Sequence, residues 1–394
     1  MLEYNIATSL LAKGQYKKAL AIFKKCILTK EVYVNMGNCY RALGDANKAR
    51  DCYRAALDEN TLALEGDAVR HALNNLGLSY YAAGDDKQAI HYYTKAIKLK
   101  EDFWEAWWNL STATLRQASS GELSKFSSGW EMYDARFLKN PPVKLKNNKE
   151  NLVYWDAVSS GESICILAEQ GIGDNIMWGR YLSQLPFNKV YVQCDPSLND
   201  IFKGFNCVTD ASECDASVAY PMCSLAKCFN SGVPIDGKWL QNSFKARQFP
   251  DDKFNIGIVW SGSSTHANDS NRSVSIGRFS RFSKLANLYS LSPGFKSTKY
   301  VSSLGVNSWT DTAECINGLD LVIGVDTSVM HLCGSLGRPG WLLQPLVETD
   351  FRWGNGVERS IWYDTIEVFN NPGSWEETFD SVEVALREKL YEKC

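Results

Sequence analysis

Three stretches of this 394-residue chain put groups able to handle phosphates or protons at chain reversals. In "VDTSVMHLCGSLG" an apolar run ending at Val325 meets Asp326, Thr327 and Ser328, then an apolar helical stretch. All three are good helix N-cap residues. The free N–H groups of such a first turn, with the helix dipole behind them, suit a diphosphate. Thr327 and Ser328 add hydroxyls, and His331 follows one turn in. Asp326 would repel phosphate, so it caps the helix or meets a sugar hydroxyl. A capped helix with a core histidine is the plain alternative. In "WSGSSTHANDSNRS", Gly262 permits close backbone approach. Arg272 is the strong cation there, able to grip phosphate with two parallel hydrogen bonds; the plain alternative is a surface loop. In "AEQGIGDNIMWGRYL", Gly171 and Gly173 tighten the turn after "SICILA", and Asp174 is the first carboxylate of the helix. Asp174 either takes a proton or merely caps its helix. Glu169 is the alternative base. "LYSLS" offers backbone groups around Ser290 and Leu291 to read a base edge. Asp311 and Thr312 start a helix, and Arg352 sits between two aromatics in "DFRW".

These segments need elements to hold them. From about residue 150, strand-length apolar runs ("SICILA", "KVYVQC", "ASVAY") alternate with helix-length stretches. A second set ("NIGIVW", "NLYSLS", "LDLVIGVDTS", "GWLLQP") begins at Asn255. Such alternation predicts two parallel α/β sheets with crossover helices. The loop-rich "SGVPIDGKWLQNSFKARQFPDD" links them, and Trp375–Lys393 reads as an amphipathic helix bracing the first half.

The first third is a repeat. Gly37, Tyr40, Gly44, Asp45, Ala49, Tyr53 and Ala56 recur forty residues on as Gly77, Tyr80, Gly84, Asp85, Ala89, Tyr93 and Ala96. An earlier copy keeps Ala7, Leu10, Gly14, Ala19, Phe23 and Cys26. Small residues admit close helix approach, tyrosines fill the gap, and "ALGD" and "AAGD" are inter-helix turns. This pattern resembles the tetratricopeptide repeat (TPR). A degenerate fourth unit carries Trp104, Trp107, Trp108 and Leu110, then "SSGWEMYDARF", as a capping repeat would. A short TPR array binds a protein or braces its neighbour.

Motif order over residues 150–375, with the repeats before it, resembles TPR-linked glycosyltransferases. These have the two-Rossmann GT-B fold and are similar to heptosyltransferases and, more distantly, protein O-GlcNAc transferases. The resemblance implies repeats over 1–140, an acceptor half over 150–235, a donor half over 250–375 and a bracing helix over 375–394. It implies a nucleotide-diphosphate sugar, UDP-type favoured, as co-substrate. Gly262, Arg272, Ser290, Leu291, Asp326, Thr327, Ser328 and His331 would line the donor site. Gly171 and Gly173 would form the acceptor-side turn, and Asp174 would be the general base of an inverting transfer. The acceptor class stays open among protein, glycan and nucleic acid. Two other readings stay open: a non-catalytic TPR scaffold on a degenerate GT-B body, and a nucleic-acid-modifying transferase. Cys333 and the "RPGW" glycine depart from the family pattern and read as packing changes.

Composition sets limits. Net charge is −3 overall, so the whole chain is no evident nucleic-acid binder. Residues 1–150 hold 22 Lys and Arg against 17 Asp and Glu, and the rest 20 against 28. The run Arg136–Lys149 has five basic residues and no acidic one; it reads as a solvated linker or a contact for an anionic partner. Twelve cysteines without a CxxC pair suit a reducing cytosol. Four dispersed histidines argue against zinc, and no DxD motif flanked by apolar strand appears, so metal-independent catalysis is expected. No leader and no membrane span are read, and a cytoplasmic location is expected.

Overall fold

The computed structural model describes residues 2–60, 67–143, 145, 153–154, 159–229, 232–250, 253–266, 268–345 and 347–392. Much of the basic run after Lys139, including Lys144, Lys146 and Lys149, lies outside the described residues.

The repeats form three helical hairpins. They are α1 (Leu2–Ala12) with α2 (Tyr16–Phe23), α3 (Lys30–Ala42) with α4 (Ala46–Leu57), and α5 (Ala68–Ala82) with α6 (Asp86–Leu99). Each "GD" turn does two jobs. Gly44 and Gly84 end a helix at φ 83° and 80°, a left-handed conformation that glycine adopts without penalty. Asp45 and Asp85 then cap the next helix by accepting the Lys48 and Gln88 N–H groups. A Cβ on Gly37 would lie 2.4 Å from the Tyr53 ring, and one on Gly77 equally close to Tyr93. The glycine–tyrosine pairing of the sequence is therefore a packing code: the ring fills the space left by the bare backbone of the facing helix. Tyr53 is fully buried, whereas Tyr40 stays part-exposed under Lys24 and Lys48. A fourth pair follows, α7 (Trp104–Ser119) and α8 (Lys125–Tyr133).

The chain separates into two compact units: Met1–Leu115 with Glu131–Pro142, and Arg116–Trp130 with Val143–Cys394. One cut falls at Pro142, near the boundary expected at about residue 140, and two more fall inside α7 and inside α8. Arg116, buried in the second unit, donates to the Thr349 carbonyl at 3.0 Å and hydroxyl at 3.1 Å. Trp130 donates to the Gly232 carbonyl at 3.1 Å and packs edge-on against Trp178 and Trp362. The hairpin turn of the degenerate repeat, from Arg116 to Trp130, thus supplies core to the second unit.

That unit contains two sheets. The first has strand order β1 (Val153–Tyr154), β5 (Val218–Pro221), β2 (Gly161–Leu167), β3 (Phe187–Gln193), β4 (Asn206–Val208), with every neighbour parallel. The second has order β11 (Ile366–Asn370), β10 (Gly340–Gln344), β9 (Leu321–Val325), β6 (Asn255–Val259), β7 (Asn287–Ser290), β8 (Ser302–Ser303), again parallel throughout. β6, β9 and β10 are buried along their whole length, which is why they read as unbroken apolar runs. In the first half the crossovers are shorter than expected: α9 (Ile172–Trp178) follows β2, and short 3₁₀ turns serve elsewhere.

The C-terminal helix α13 (Trp375–Tyr391) differs from expectation. Phe379, Val382 and Leu386 are buried in one cluster with Ile256, Ile258, Phe279 and Phe282. Arg278 and Arg281 pair with Glu376 and Asp380. It therefore packs its apolar face on the second sheet and not, as expected, on the first half. The linker expectation acquires detail: Trp239 donates to the Ile176 carbonyl at 3.0 Å and the Ser335 hydroxyl at 3.2 Å, so the connection is pinned to both halves.

Candidate functional site

At the carboxyl ends of the second sheet's strands lies a cavity of about 790 Å³, walled on the far side by the β2–α9 turn. Ligands of open α/β sheets occupy this position. Gly171, Gly173 and Asp174 line it from the first half; Gly262, Arg272, Leu291, Asp326, Thr327, Ser328 and His331 line it from the second. Ser290 is absent from the wall. It is 1% exposed, its hydroxyl accepts the Ser292 N–H, and its backbone is spent on sheet pairing. The expectation for Ser290 is corrected accordingly, because its hydroxyl is spent on the turn that follows and its backbone on the sheet.

The phosphate-binding candidates converge on α12 (Ser328–Ser335). Thr327 is its N-cap in extended backbone, and its side chain makes no capping bond. The Thr327 Oγ1 is buried with no hydrogen-bond partner, a costly arrangement for a hydroxyl unless something else satisfies it. The first N–H groups of the helix have no intrahelical acceptor. Arg272, at the end of α10 (Asp269–Arg272), donates to the Asp326 carbonyl at 2.8 Å. Its Nε lies 3.5 Å from Asp269, and the Asp326 carboxylate is 4.0 Å from Nη1. Gly262 has a role other than the one expected. A Cβ there would sit 2.3 Å from Arg272 Nη2, so its bareness makes room for the guanidinium.

His331 is buried. Its Nδ1 meets the Tyr363 hydroxyl at 3.2 Å, and the ring stacks on Trp353 with centroids 4.6 Å apart. Burial, helped by the Arg352 charge, pushes its pKa down to about 3, so the ring is neutral at ordinary pH. Asp326 accepts from the Trp353 indole N–H at 2.7 Å. Burial and the neighbouring Asp350 charge push its pKa up to about 6.

Gly173 also departs from its expected role. A Cβ on it would lie 2.9 Å from His331 Cδ2 and 3.2 Å from the Ser328 backbone. It lets α9 of the first half lie directly on α12 of the second. Gly171 caps α9 in extended backbone, and its N–H donates to Asp174 Oδ2 at 2.9 Å. The strained residue of the turn is Gln170, at φ 58°. Asp174, the third residue of α9, supports the helix start by accepting the Gly171 N–H, and it also lines the cavity. Its carboxylate pairs with Arg352. Burial raises its pKa, against the pull of Arg352 and the Gly171 N–H.

Several neighbours were not named from the sequence as site residues. Asp350 binds Arg352 Nη1 with both oxygens, at 2.9 and 3.0 Å; Arg352 holds its carboxyl below the usual range despite burial. Gln170, His266 and Trp309 also line the cavity. The acid two positions before Arg352 in "DFRW" was a readable signal; the Trp309 and His266 positions carried none. Glu169 is buried away from the cavity wall, accepting the Cys223 N–H at 3.3 Å. Asp311 is not the start of its helix, α11 (Trp309–Gly318): Ser308 caps it, and Asp311 caps back onto the Ser308 N–H at 3.1 Å. Thr312 donates to the Ser308 carbonyl at 2.9 Å. Cys333 is buried with its thiol on the Arg338 and Pro339 carbonyls, and a Cβ on Gly340 would lie 2.5 Å from Ile366; both are packing features. Among the described residues no cluster of three or more metal-ligating side chains occurs.

Residues 28–102 and 4–31 match family models of the tetratricopeptide repeat. No curated protein matches the chain. Among solved structures, the glycosyl transferase family 9 protein of Veillonella parvula is 12% identical, aligns over 62% of this chain and 100% of its own, and has a TM-score of 0.38. An O-GlcNAc transferase mutant from Thermobaculum terrenum is 13% identical over 99% and 92%, with a TM-score of 0.36. The iron-containing dodecameric glycosyltransferase TibC from enterotoxigenic E. coli is 10% identical over 60% and 77%, with a TM-score of 0.40. No described helix is long and apolar enough to cross a membrane.

Proposed function

We propose that the chain transfers a sugar from a nucleoside diphosphate, UDP-type favoured, to an acceptor hydroxyl, with inversion and without a metal ion. The observation that carries this reading is the buried, unpartnered Thr327 hydroxyl at the first turn of α12. It lies in one cavity with Arg272 and Asp174. A diphosphate there would satisfy Thr327 and the α12 N–H groups and meet the Arg272 guanidinium. As the sugar–phosphate bond breaks, charge grows on that phosphate, and the same groups stabilise it. Across the cavity, Asp174 would take the proton from the attacking hydroxyl. The neutral His331 adds no charge, so it shapes the pocket and leaves the proton work to the carboxylate. The TPR region is the proposed protein contact, and a cytosolic setting suits the eleven free thiols among the described residues.

Two measurements test this. Calorimetry with UDP, GDP and ADP should detect binding that Arg272→Ala weakens tenfold or more, about 1.5–3 kcal/mol for a charged hydrogen bond. With a UDP-sugar panel, Asp174→Asn should keep UDP affinity while turnover falls by about 10²–10⁴-fold. Absence of binding to every nucleotide overturns the reading; unchanged turnover removes Asp174 from it.

A further inference from the structure

The carboxylate assigned above as the base is not free in the cavity. Asp174 belongs to the first half, on α9 after β2, and Arg352 to the second, after β10. The guanidinium divides its two terminal nitrogens between two acids. Nη1 binds both oxygens of Asp350; Nη2 meets Asp174 Oδ1 and, at 3.4 Å, Gln170 Oε1. Asp174 Oδ2 takes the Gly171 N–H. Arg352 itself is fixed: its N–H donates to Asp350 Oδ1 at 2.9 Å, its charge lies 4.3 Å from the Phe351 ring centroid, and its side chain is 8% exposed. A planar fork with separate donors suits such a two-sided grip, which a lysine point charge would not reproduce.

We propose that Arg352 is the positioning residue of Asp174: it spans the cleft, sets its charge against that buried carboxylate and aims it, with Asp350 as the anchor that holds the arginine. The proposal rests on Asp174 being the base, yet its test does not depend on turnover. The charged or titratable groups facing Asp174 are Arg352 and Asp350 from the β10 loop, Glu169 from the end of β2, and the more distant His266. His331, neutral, faces Gly173 from α12. Of these, Arg352 alone favours the ionised form.

Without Arg352, burial, Asp350 and Glu169 act on Asp174 opposed by the Gly171 N–H alone. A carboxyl whose folded pKa is raised above its unfolded value loses stability as pH rises through that interval. Arg352→Gln should therefore lower the melting temperature more at pH 8 than at pH 5, by about 3 °C or more. Asp174→Asn in that background should recover part of the extra loss, and Asp350→Asn the rest, since both acids lose their partner. Arg352→Lys should fall between wild type and Arg352→Gln, and it carries the test should Arg352→Gln fail to fold. A loss equal at both pH values, or one that Asp174→Asn does not reduce, overturns the proposal, because a packing role on Phe351 predicts that result. UDP calorimetry on the same proteins reads the proposed function separately: a protein that binds no nucleotide yet passes the melting test retains the latch and loses the reaction. Where a UDP-sugar is turned over, the acid limb of kcat/KM should move up in Arg352→Lys and down in Asp350→Asn; shifts of one sign in both overturn the positioning role.

Discussion

Arg272 and His331 show how much a single side chain depends on one bare neighbour or one buried ring. Gly262 has no left-handed backbone to serve; its missing Cβ is the space that Arg272 Nη2 occupies. Gly262→Ala should thus copy Arg272→Ala, weakening UDP about tenfold while leaving the melting temperature close to wild type. A Gly262→Ala protein with wild-type affinity would uncouple the two residues. His331 supports a second prediction. Its folded pKa is lowered to about 3 by burial, against an unfolded value of about 6.5. Below that unfolded value the unfolded chain binds a proton that the folded chain refuses, so this histidine costs stability as pH falls from about 6.5 towards 3. The cost is about 1.4 kcal/mol per pH unit in that window. His331→Gln should lose less stability than wild type between pH 6.5 and 4.5, measured by urea unfolding at each pH; parallel curves would contradict a buried neutral ring.

Elements meet in this protein where glycine lets them. α9 lies on α12 because Gly173 offers nothing to His331 and the Ser328 backbone. The backbone cannot yield as a flexible side chain can, so Gly173→Ala must push the two helices apart. The expected outcome is a loss of about 1–3 kcal/mol, as for other overpacked sites, together with weakened UDP binding, because Ser328 begins the anion-facing turn. Stability lost with affinity kept would place the strain in α9 alone. The repeats use the same device between α3 and α4 and between α5 and α6. Gly77→Ala would drive a Cβ to 2.4 Å from the Tyr93 ring, and here the ring can move. The melting temperature should drop while UDP affinity stays, since Gly77 belongs to the repeat unit and the cavity to the other.

Over the whole molecule, charge at the cavity is nearly balanced by the protein itself. Arg272 and Arg352 are the two cations lining the cavity among the described residues, against Asp174, Asp326 and Asp350. Arg352 is committed to two of those acids, which leaves Arg272 and the α12 N–H groups to face a diphosphate. Protein donors in a dry pocket can stabilise a leaving phosphate without an ion. UDP affinity and turnover should therefore survive EDTA, checked by calorimetry and product release before and after chelation. A requirement for added manganese, magnesium or iron would contradict this.

Local physics was legible in the linear chain. The forty-residue recurrence, the Gly-Asp turns and the tyrosines specified hairpins because each repeat packs on its neighbour in sequence. Fully buried strands such as β6 and β9 read as apolar runs because both faces are covered, and the polar turn after each run marked where a ligand could sit. Short-range rules failed wherever a residue's partner is distant in the chain. Asp174 meets Arg352, Arg116 meets Thr349, and Trp130 meets Gly232, so no window of sequence contains the pair. The three glycines of the site read as turn formers, yet Gly262 makes room for the Arg272 side chain of its own loop and Gly173 for His331 and Ser328 of a distant helix. The amphipathic α13 announced an apolar face without saying which sheet it covers, since either offers the same chemistry and proximity alone decides. Residue type and spacing determined which groups could do chemistry here; the tertiary structure decided which are neutralised, which are buried without a partner, and which face one another.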